Sequence, residues 1–415
     1  MALSTEAVRR AKPDPKLAKT LSELASQAGV RKAVKVLSAQ RNWITEQHLA
    51  LCRIPAPTFF EEKRAEWMAA QFRALGWDSK LDRAGNVVAF PDSRRDGPFV
   101  ALTAHLDTVL APKRTEDVFI APDGRFRGPG VSDNGAGLAG LLAFAALWKS
   151  EPPLPVSPIL IANVGEEGEG NLSGMRFLCR QSPLAGKIRT YLVLDGPGTD
   201  HITCRALASR RFEVTVSGPG GHSWSDHGTA NPVHALSRAI HFFTEGQFED
   251  GFPISPRVSF NFGIVEGGIS VNSIPTSARA KLDVRSEDQE RIEELSQYLS
   301  FALERAVSVE NERASAGRVQ ARIREIGARP GGAIPDDSRL LPILRAVDAH
   351  LNIRAHLDCA STDANIPLSM GLEAVSIGAG GQGGGAHTPE EWFDPDGRDL
   401  GLQRVLLTLC LLLQP

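Results

Sequence analysis

The run Phe99-Val100-Ala101-Leu102-Thr103-Ala104 constrains this chain more than any other stretch: it is apolar almost throughout and stops on His105-Leu106-Asp107. Such a run predicts a strand buried on both faces, in a sheet covered by helices. Alternate side chains on a strand share a face, so His105 and Asp107 should point the same way, as an imidazole and the carboxylate that orients it do. One ending of this kind is ordinary, since a histidine at a strand end is commonly structural. Here the pattern recurs. Ile159-Leu160-Ile161-Ala162-Asn163-Val164 runs into Gly165-Glu166-Glu167, and Tyr191-Leu192-Val193-Leu194 runs into Asp195-Gly196. Ala374-Val375-Ser376-Ile377 leads through a glycine-dense stretch to Ala386-His387. Asp133, in Ser132-Asp133-Asn134-Gly135, precedes an apolar helical run over 138–148, where a carboxylate also serves as a cap.

These elements predict an α/β fold with a mixed, mainly parallel sheet flanked by helices. At 415 residues the chain exceeds one ordinary core. From about residue 204 the texture changes: Arg211-Phe212-Glu213-Val214-Thr215-Val216-Ser217 and Arg279-Ala280-Lys281-Leu282-Asp283-Val284-Arg285 alternate polar and apolar, as in a sheet with one solvated face. The expected organisation is a main domain of residues 1–203 and 327–415, interrupted by an α+β insert over 204–326. Within the insert, helices are expected over 232–243 and 288–306, with further strands over 257–265 and near 320–323. Residues 1 to about 50 read as helical, broken over 13–15. Thr58-Phe59-Phe60-Glu61 reads as a capping box opening a helix that ends at Leu75, stopped by Gly76.

Composition removes several classes. A net charge of −3 with no basic patch argues against a nucleic-acid partner. No apolar run approaches the roughly 20 residues of a membrane span. The first six residues lack the apolar core of a secretory signal. Cys52, Cys179, Cys204, Cys359 and Cys410 are odd in number and far apart, as expected of buried free thiols in a reducing cytoplasm. No G-x-S-x-G nucleophile motif occurs around Ser132 or Ser223, and no Lys-Ser/Thr follows the glycines before His387.

In an open α/β sheet, ligands bind beyond the carboxyl ends of the strands. His105, Asp133, Glu167, Asp195 and His387 would gather there, with Asp107 and Glu166 beside them. Two imidazoles and three carboxylates exceed what one tetrahedral Zn²⁺ needs and suffice for two ions sharing a carboxylate. Without cations, so many carboxylates at short range would suppress one another's ionisation.

With these motifs the chain, after about residue 50, resembles the M20 co-catalytic zinc peptidases, which include aminotripeptidases, dipeptidases, aminoacylases and acyl-amino-acid deacylases. The resemblance rests on His105-Leu106-Asp107, Ser132-Asp133-Asn134-Gly135, Glu166-Glu167, Leu194-Asp195-Gly196 and Ala386-His387. It implies two Zn²⁺ bridged by Asp133, one also held by His105 and Asp195, the other by Glu167 and His387; Co²⁺ or Mn²⁺ would accept the same ligands. It further implies Glu166 as general base and Asp107 as the residue steering His105. Ser217-Gly218-Pro219-Gly220-Gly221-His222-Ser223 resembles a loop that supplies an oxyanion-stabilising histidine in dimeric members. That implies a role for His222 and a homodimer through the insert, the other reading of His222 being a solvated turn. Asn272 and Arg285 match positions that contact a substrate carboxylate, although Arg285 also fits a solvated strand face. Ser361-Thr362-Asp363-Ala364 resembles an active-site loop of the peptidase T type, without its leading glycines. The implied activity is hydrolysis of small peptides, of the aminotripeptidase kind. An amidohydrolase acting on N-acyl amino acids shares every ligand, and a non-catalytic binding protein is the third alternative.

Overall fold

Asp14 opens the first helix of the described residues by accepting a hydrogen bond from the Lys16 amide at 2.9 Å, with Pro15 in the first turn, where its missing N–H costs nothing. Helices Pro15–Ser26, Ala28–Ala39 and Arg41–Cys52 follow one another closely. The computed structural model describes residues 14–91, 96–154, 156–245 and 257–414, so part of the break expected over 13–15 lies outside the described residues. The chain divides into two compact units, one comprising the residues up to Ala206 with those from Gly332 onward, the other Leu207–Gly331.

The first unit is built on a nine-stranded mixed sheet. At its centre lie four mutually parallel strands, Ile159–Asn163, Phe99–His105, Ile188–Leu194 and Glu373–Ile377, in that order. Asp78–Leu81 and Val87–Phe90 extend one edge with antiparallel pairing. His201–Ala206 extends the other, meeting Gly332–Ala333 antiparallel and His356–Ala360 parallel. Every residue of Phe99–His105 and of Ile159–Asn163 is buried, so continuous apolar character is the burial requirement of strands covered on both faces. Helix Gly135–Ser150 is buried from Gly135 to Trp148 and belongs to the same apolar cluster as the C-terminal helix Arg398–Leu412.

The expected capping box is absent. Helix Glu62–Ala74 has no side-chain cap, because Thr58 and Glu61 are used elsewhere. The Thr58 hydroxyl donates to Asp107 at 2.9 Å, and Glu61 accepts from the amides of Phe59 and Gly165, each at 3.1 Å. Asn134, rather than Asp133, caps helix Gly135–Ser150, accepting from the Gly137 amide at 3.1 Å.

The second unit is a four-stranded antiparallel sheet in the order Val258–Gly267, Ser277–Ser286, Ala208–Ser217, Gln320–Arg329. After the exposed Ser277, buried and part-buried residues alternate strictly from Ala278 to Ser286, as a one-sided sheet requires. Its apolar side chains pack with helices Pro232–Glu245 and Gln289–Arg313, which share one core with Phe212, Val214, Leu282 and Val284. Both the last helix and the last strand run further than the sequence pattern indicated.

Candidate metal centre

The centre is assembled where the parallel strands of the first unit end. His105 closes its strand, only 1% exposed, and its Nδ1 lies 3.0 Å from the Asp107 carbonyl oxygen and 3.5 Å from the Asp107 carboxylate. A ring nitrogen facing a carbonyl must donate, which leaves Nε2 free to face the site. That atom lies 3.0 Å from Asp133 Oδ1 and 3.6 Å from Asp195 Oδ1. The second Asp133 oxygen, Oδ2, is 3.0 Å from His387 Nε2, and Glu167 Oε1 is 2.9 Å from that same nitrogen. The two oxygens of one carboxylate therefore address two histidines, each accompanied by one further carboxylate. Glu166, 5% exposed, belongs with His105 and Glu167 to a group whose ligand atoms lie within 4.8 Å of one another.

Asp107 is wholly buried and its carboxylate is saturated: Oδ1 accepts from the Glu166 amide at 3.0 Å, and Oδ2 from the Glu167 amide at 2.9 Å and from Thr58. It thus fixes the backbone of both glutamates as well as facing His105. Burial works to raise the Asp107 pKa, but His105 and the two amides outweigh it and hold it below the ordinary value. Burial likewise works to lower the His105 pKa, and its carboxylate neighbours Asp107, Asp133 and Asp195 hold it well above 6.5. Hydrogen bonds to Asp133 and Glu167 push His387 up to about 10. In the absence of cations the imidazoles must carry protons to balance these carboxylates. A site that demands positive charge this strongly, and offers two nitrogens and three carboxylates, fits a pair of divalent cations. His105, Asp133 and Asp195 would hold one ion, and Asp133, Glu167 and His387 the other.

His387 is not delivered by the end of Glu373–Ile377. It follows Gln382–Gly384, one strand of a small sheet with Trp392–Asp394, Phe126–Arg127 and Phe119–Ile120 that the sequence did not reveal. The glycines before it allow close backbone packing: a Cβ on Gly378 would lie 2.1 Å from the Pro197 carbonyl. Asp363 is fully buried, accepts from the Asn163 side-chain Nδ2 at 2.5 Å, and is pushed by burial up to about 7.

His222, Asn272 and Arg285 all belong to the second unit. His222 is exposed and forms a short ladder in which it pairs with Ser273, while the Ser223 amide donates to the Asn272 carbonyl, so His222 and Asn272 are neighbours. Its Nδ1 accepts from the amides of Trp224 and Ser225 at 3.2 and 3.3 Å. Arg285 lies eight positions along its strand from Ser277, roughly 26 Å at about 3.3 Å per residue, and donates to Asp283 at 2.7 Å. Arg279, which pairs with Glu266, lines a cavity of about 520 Å³ together with Gly221 and Ser273.

Residues 208–309 match the M20 peptidase dimerisation domain, and residues 86–219, which carry His105, Asp133, Glu166, Glu167 and Asp195, match peptidase family M28. These matches support a hydrolase of the M20 peptidase type. Families of this kind are metal-dependent hydrolases. A probable carboxypeptidase of Aspergillus terreus is 30% identical over 48% of this chain and 47% of its own. A succinyl-diaminopimelate desuccinylase of Granulibacter bethesdensis is 27% identical over 60% of this chain and 68% of its own. The chain spans about half the length of most of the curated relatives it matches first. A tripeptidase of Staphylococcus aureus has the same fold, with a TM-score of 0.71, 21% identity, and coverage of 89% of this chain and 98% of that one. Among the described residues, no helix is long and apolar enough to cross a membrane.

Proposed function

We propose that this protein hydrolyses an amide bond in small peptides, as a di- or tripeptide exopeptidase of the aminotripeptidase kind. The observation that carries the reading is the bidentate placement of Asp133 between His105 and His387, each 3.0 Å away. A pair of Zn²⁺ bound there would lower the pKa of water toward neutrality and stabilise charge developing on the attacked carbonyl. Glu166 accepts the proton of the attacking water and returns it to the leaving amine, a contribution of about 10²–10⁴-fold. Asp107 keeps His105 in one tautomer and orientation and holds the amides of Glu166 and Glu167. His222 is our candidate oxyanion donor, with Asn272 and Arg285 as candidate contacts for the substrate carboxylate. The matched dimerisation domain supports a homodimer, and five free cysteines, four of them buried and Cys359 half-buried, fit a reducing cytoplasm.

The likeness to a desuccinylase favours a second reading, removal of an acyl group from an amino acid, on the same ligand set. A panel of free di- and tripeptides set against N-succinyl and N-acetyl amino acids, assayed with Zn²⁺ over a dilution series, separates the two. Turnover of free peptides, with specific activity falling on dilution, is expected. Turnover of acylated amino acids alone would replace the first reading with the second, and inertness toward both would leave neither.

A further inference from the structure

We infer that Glu391 is a positioning residue: its carboxylate holds the Asp133 turn in register with the His387 loop and thereby sets how tightly the second cation is bound. The inference rests on the dinuclear reading above.

Glu391 is 3% exposed. Its Oε2 accepts from the Gly130 amide at 2.7 Å, and its Oε1 accepts from the Ser132 amide at 2.8 Å, the Ser132 hydroxyl at 2.8 Å and the Asp133 amide at 2.9 Å. Its backbone joins the same turn, the Gly128 amide donating to its carbonyl at 3.1 Å. One carboxylate thus takes four donors of the segment that presents the bridging carboxylate. Hydrogen bonds to an ionised acceptor are about twice as strong as neutral ones, and a buried carboxylate holding four of them leaves the turn little freedom.

The other end of the clamp is covalent. His387 precedes Glu391 by four residues, and the intervening turn is closed by the Thr388 amide donating to the Gly385 carbonyl at 3.0 Å and the Glu391 amide to the Thr388 carbonyl at 3.3 Å. Asp133 Oδ2 meets His387 Nε2 only while these two segments keep their spacing. On the far side, Asn134 does the corresponding work toward Asp195: its Nδ2 donates to the Leu194 carbonyl at 2.8 Å, and its Oδ1 accepts from the Gly196 amide at 3.2 Å. Two side chains that hold no ion therefore register three that do. Of the two, Glu391 is tied to the ion of Glu167 and His387, whose loop is not part of the main sheet.

A scaffold residue and a positioning residue differ in what they change. Loss of scaffold lowers stability but leaves the affinity of the folded protein for ions intact, whereas loss of positioning lowers that affinity. Glu391→Gln preserves shape but turns one acceptor into a donor against an amide that itself donates. Metal-stripped wild type, Glu391→Gln and Ser132→Ala, which removes only the hydroxyl hydrogen bond, are titrated with Zn²⁺ against a chromophoric chelator. Thermal unfolding of the stripped proteins is followed in parallel. Two equivalents should bind tightly to wild type. Glu391→Gln should retain the first and bind the second about 10–100-fold more weakly, with Ser132→Ala in between. Two equivalents bound with wild-type affinity by Glu391→Gln would overturn the inference, even if its unfolding temperature falls. If that variant does not fold, Ser132→Ala decides by the same criterion. Failure of the dinuclear reading has a different signature, because wild type itself would then bind fewer than two ions.

Discussion

Asp107→Asn tests whether the buried carboxylate beside His105 organises the centre or merely fills space. In the protein as folded, Asp107 accepts three hydrogen bonds, from the amides of Glu166 and Glu167 and from Thr58, at 2.9–3.0 Å. Asparagine has one acceptor oxygen. Placed toward the Glu167 amide and Thr58, it leaves an NH₂ group against the Glu166 N–H, so one buried donor is left unsatisfied. Removing a hydrogen bond to a charged group and stranding its partner costs about 1.5–3 kcal/mol. At about 2–4 °C per kcal/mol for a domain of a few hundred residues, the metal-free variant should melt several degrees lower. His105 keeps its contact to the residue 107 carbonyl, so the variant should still bind metal, but about 10–100-fold more weakly. The depressed Asp107 pKa adds a pH signature. The charge-dependent part of the stability is fully present above the unfolded carboxylate value near 3.9 and is lost as pH falls through the lower folded value. The assay is thermal melting of stripped protein together with Zn²⁺ titration. A variant with unchanged melting temperature and unchanged affinity would refute the role given to Asp107.

Glu166→Gln removes the proposed base while keeping its volume; kcat should fall by about 10²–10⁴-fold with KM and bound metal little changed, and a kcat within a fewfold of wild type would remove Glu166 from the mechanism. His48 gives a second pH prediction. Its Nε2 donates to the Val131 carbonyl at 2.7 Å, and its Nδ1 accepts from Arg398 at 3.0 Å, so it is neutral, and burial together with the Arg398 charge lowers its pKa well below 6.5. The unfolded chain takes up a proton below about pH 6.5 that the folded chain refuses, so stability should fall as pH drops through that range, by at most about 1.4 kcal/mol per pH unit. Urea midpoints of stripped wild type and His48→Gln between pH 7.5 and 5.5 check this, and parallel pH profiles would contradict it.

The parallel core was legible because strands covered on both faces need unbroken apolar runs, and the candidate ligands stand where those runs stop. His105, Glu167 and Asp195 all follow such endings, and the structure brings them together with Asp133 and His387. What the sequence hid acts through backbone donors far along the chain. Glu391 meets its partners across 258 to 261 residues, and nothing in Pro389-Glu390-Glu391-Trp392 marks the second glutamate over the first. Thr58 and Glu61 carry a true capping signature, overridden because Asp107 and the Gly165 amide make better partners in the buried site. The small sheet beside His387 was invisible for a simpler reason: its strands are two or three residues long, too short for any alternation to register.

The central claim is that Asp133 joins two cations, one toward His105 and Asp195 and one toward Glu167 and His387. Anomalous diffraction recorded on either side of the zinc absorption edge, from crystals grown with Zn²⁺, locates such ions directly. Two peaks flanking the Asp133 carboxylate, about 3.5–4 Å apart, are the predicted result. A single peak, or peaks that leave Asp133 without a bound ion, would contradict it.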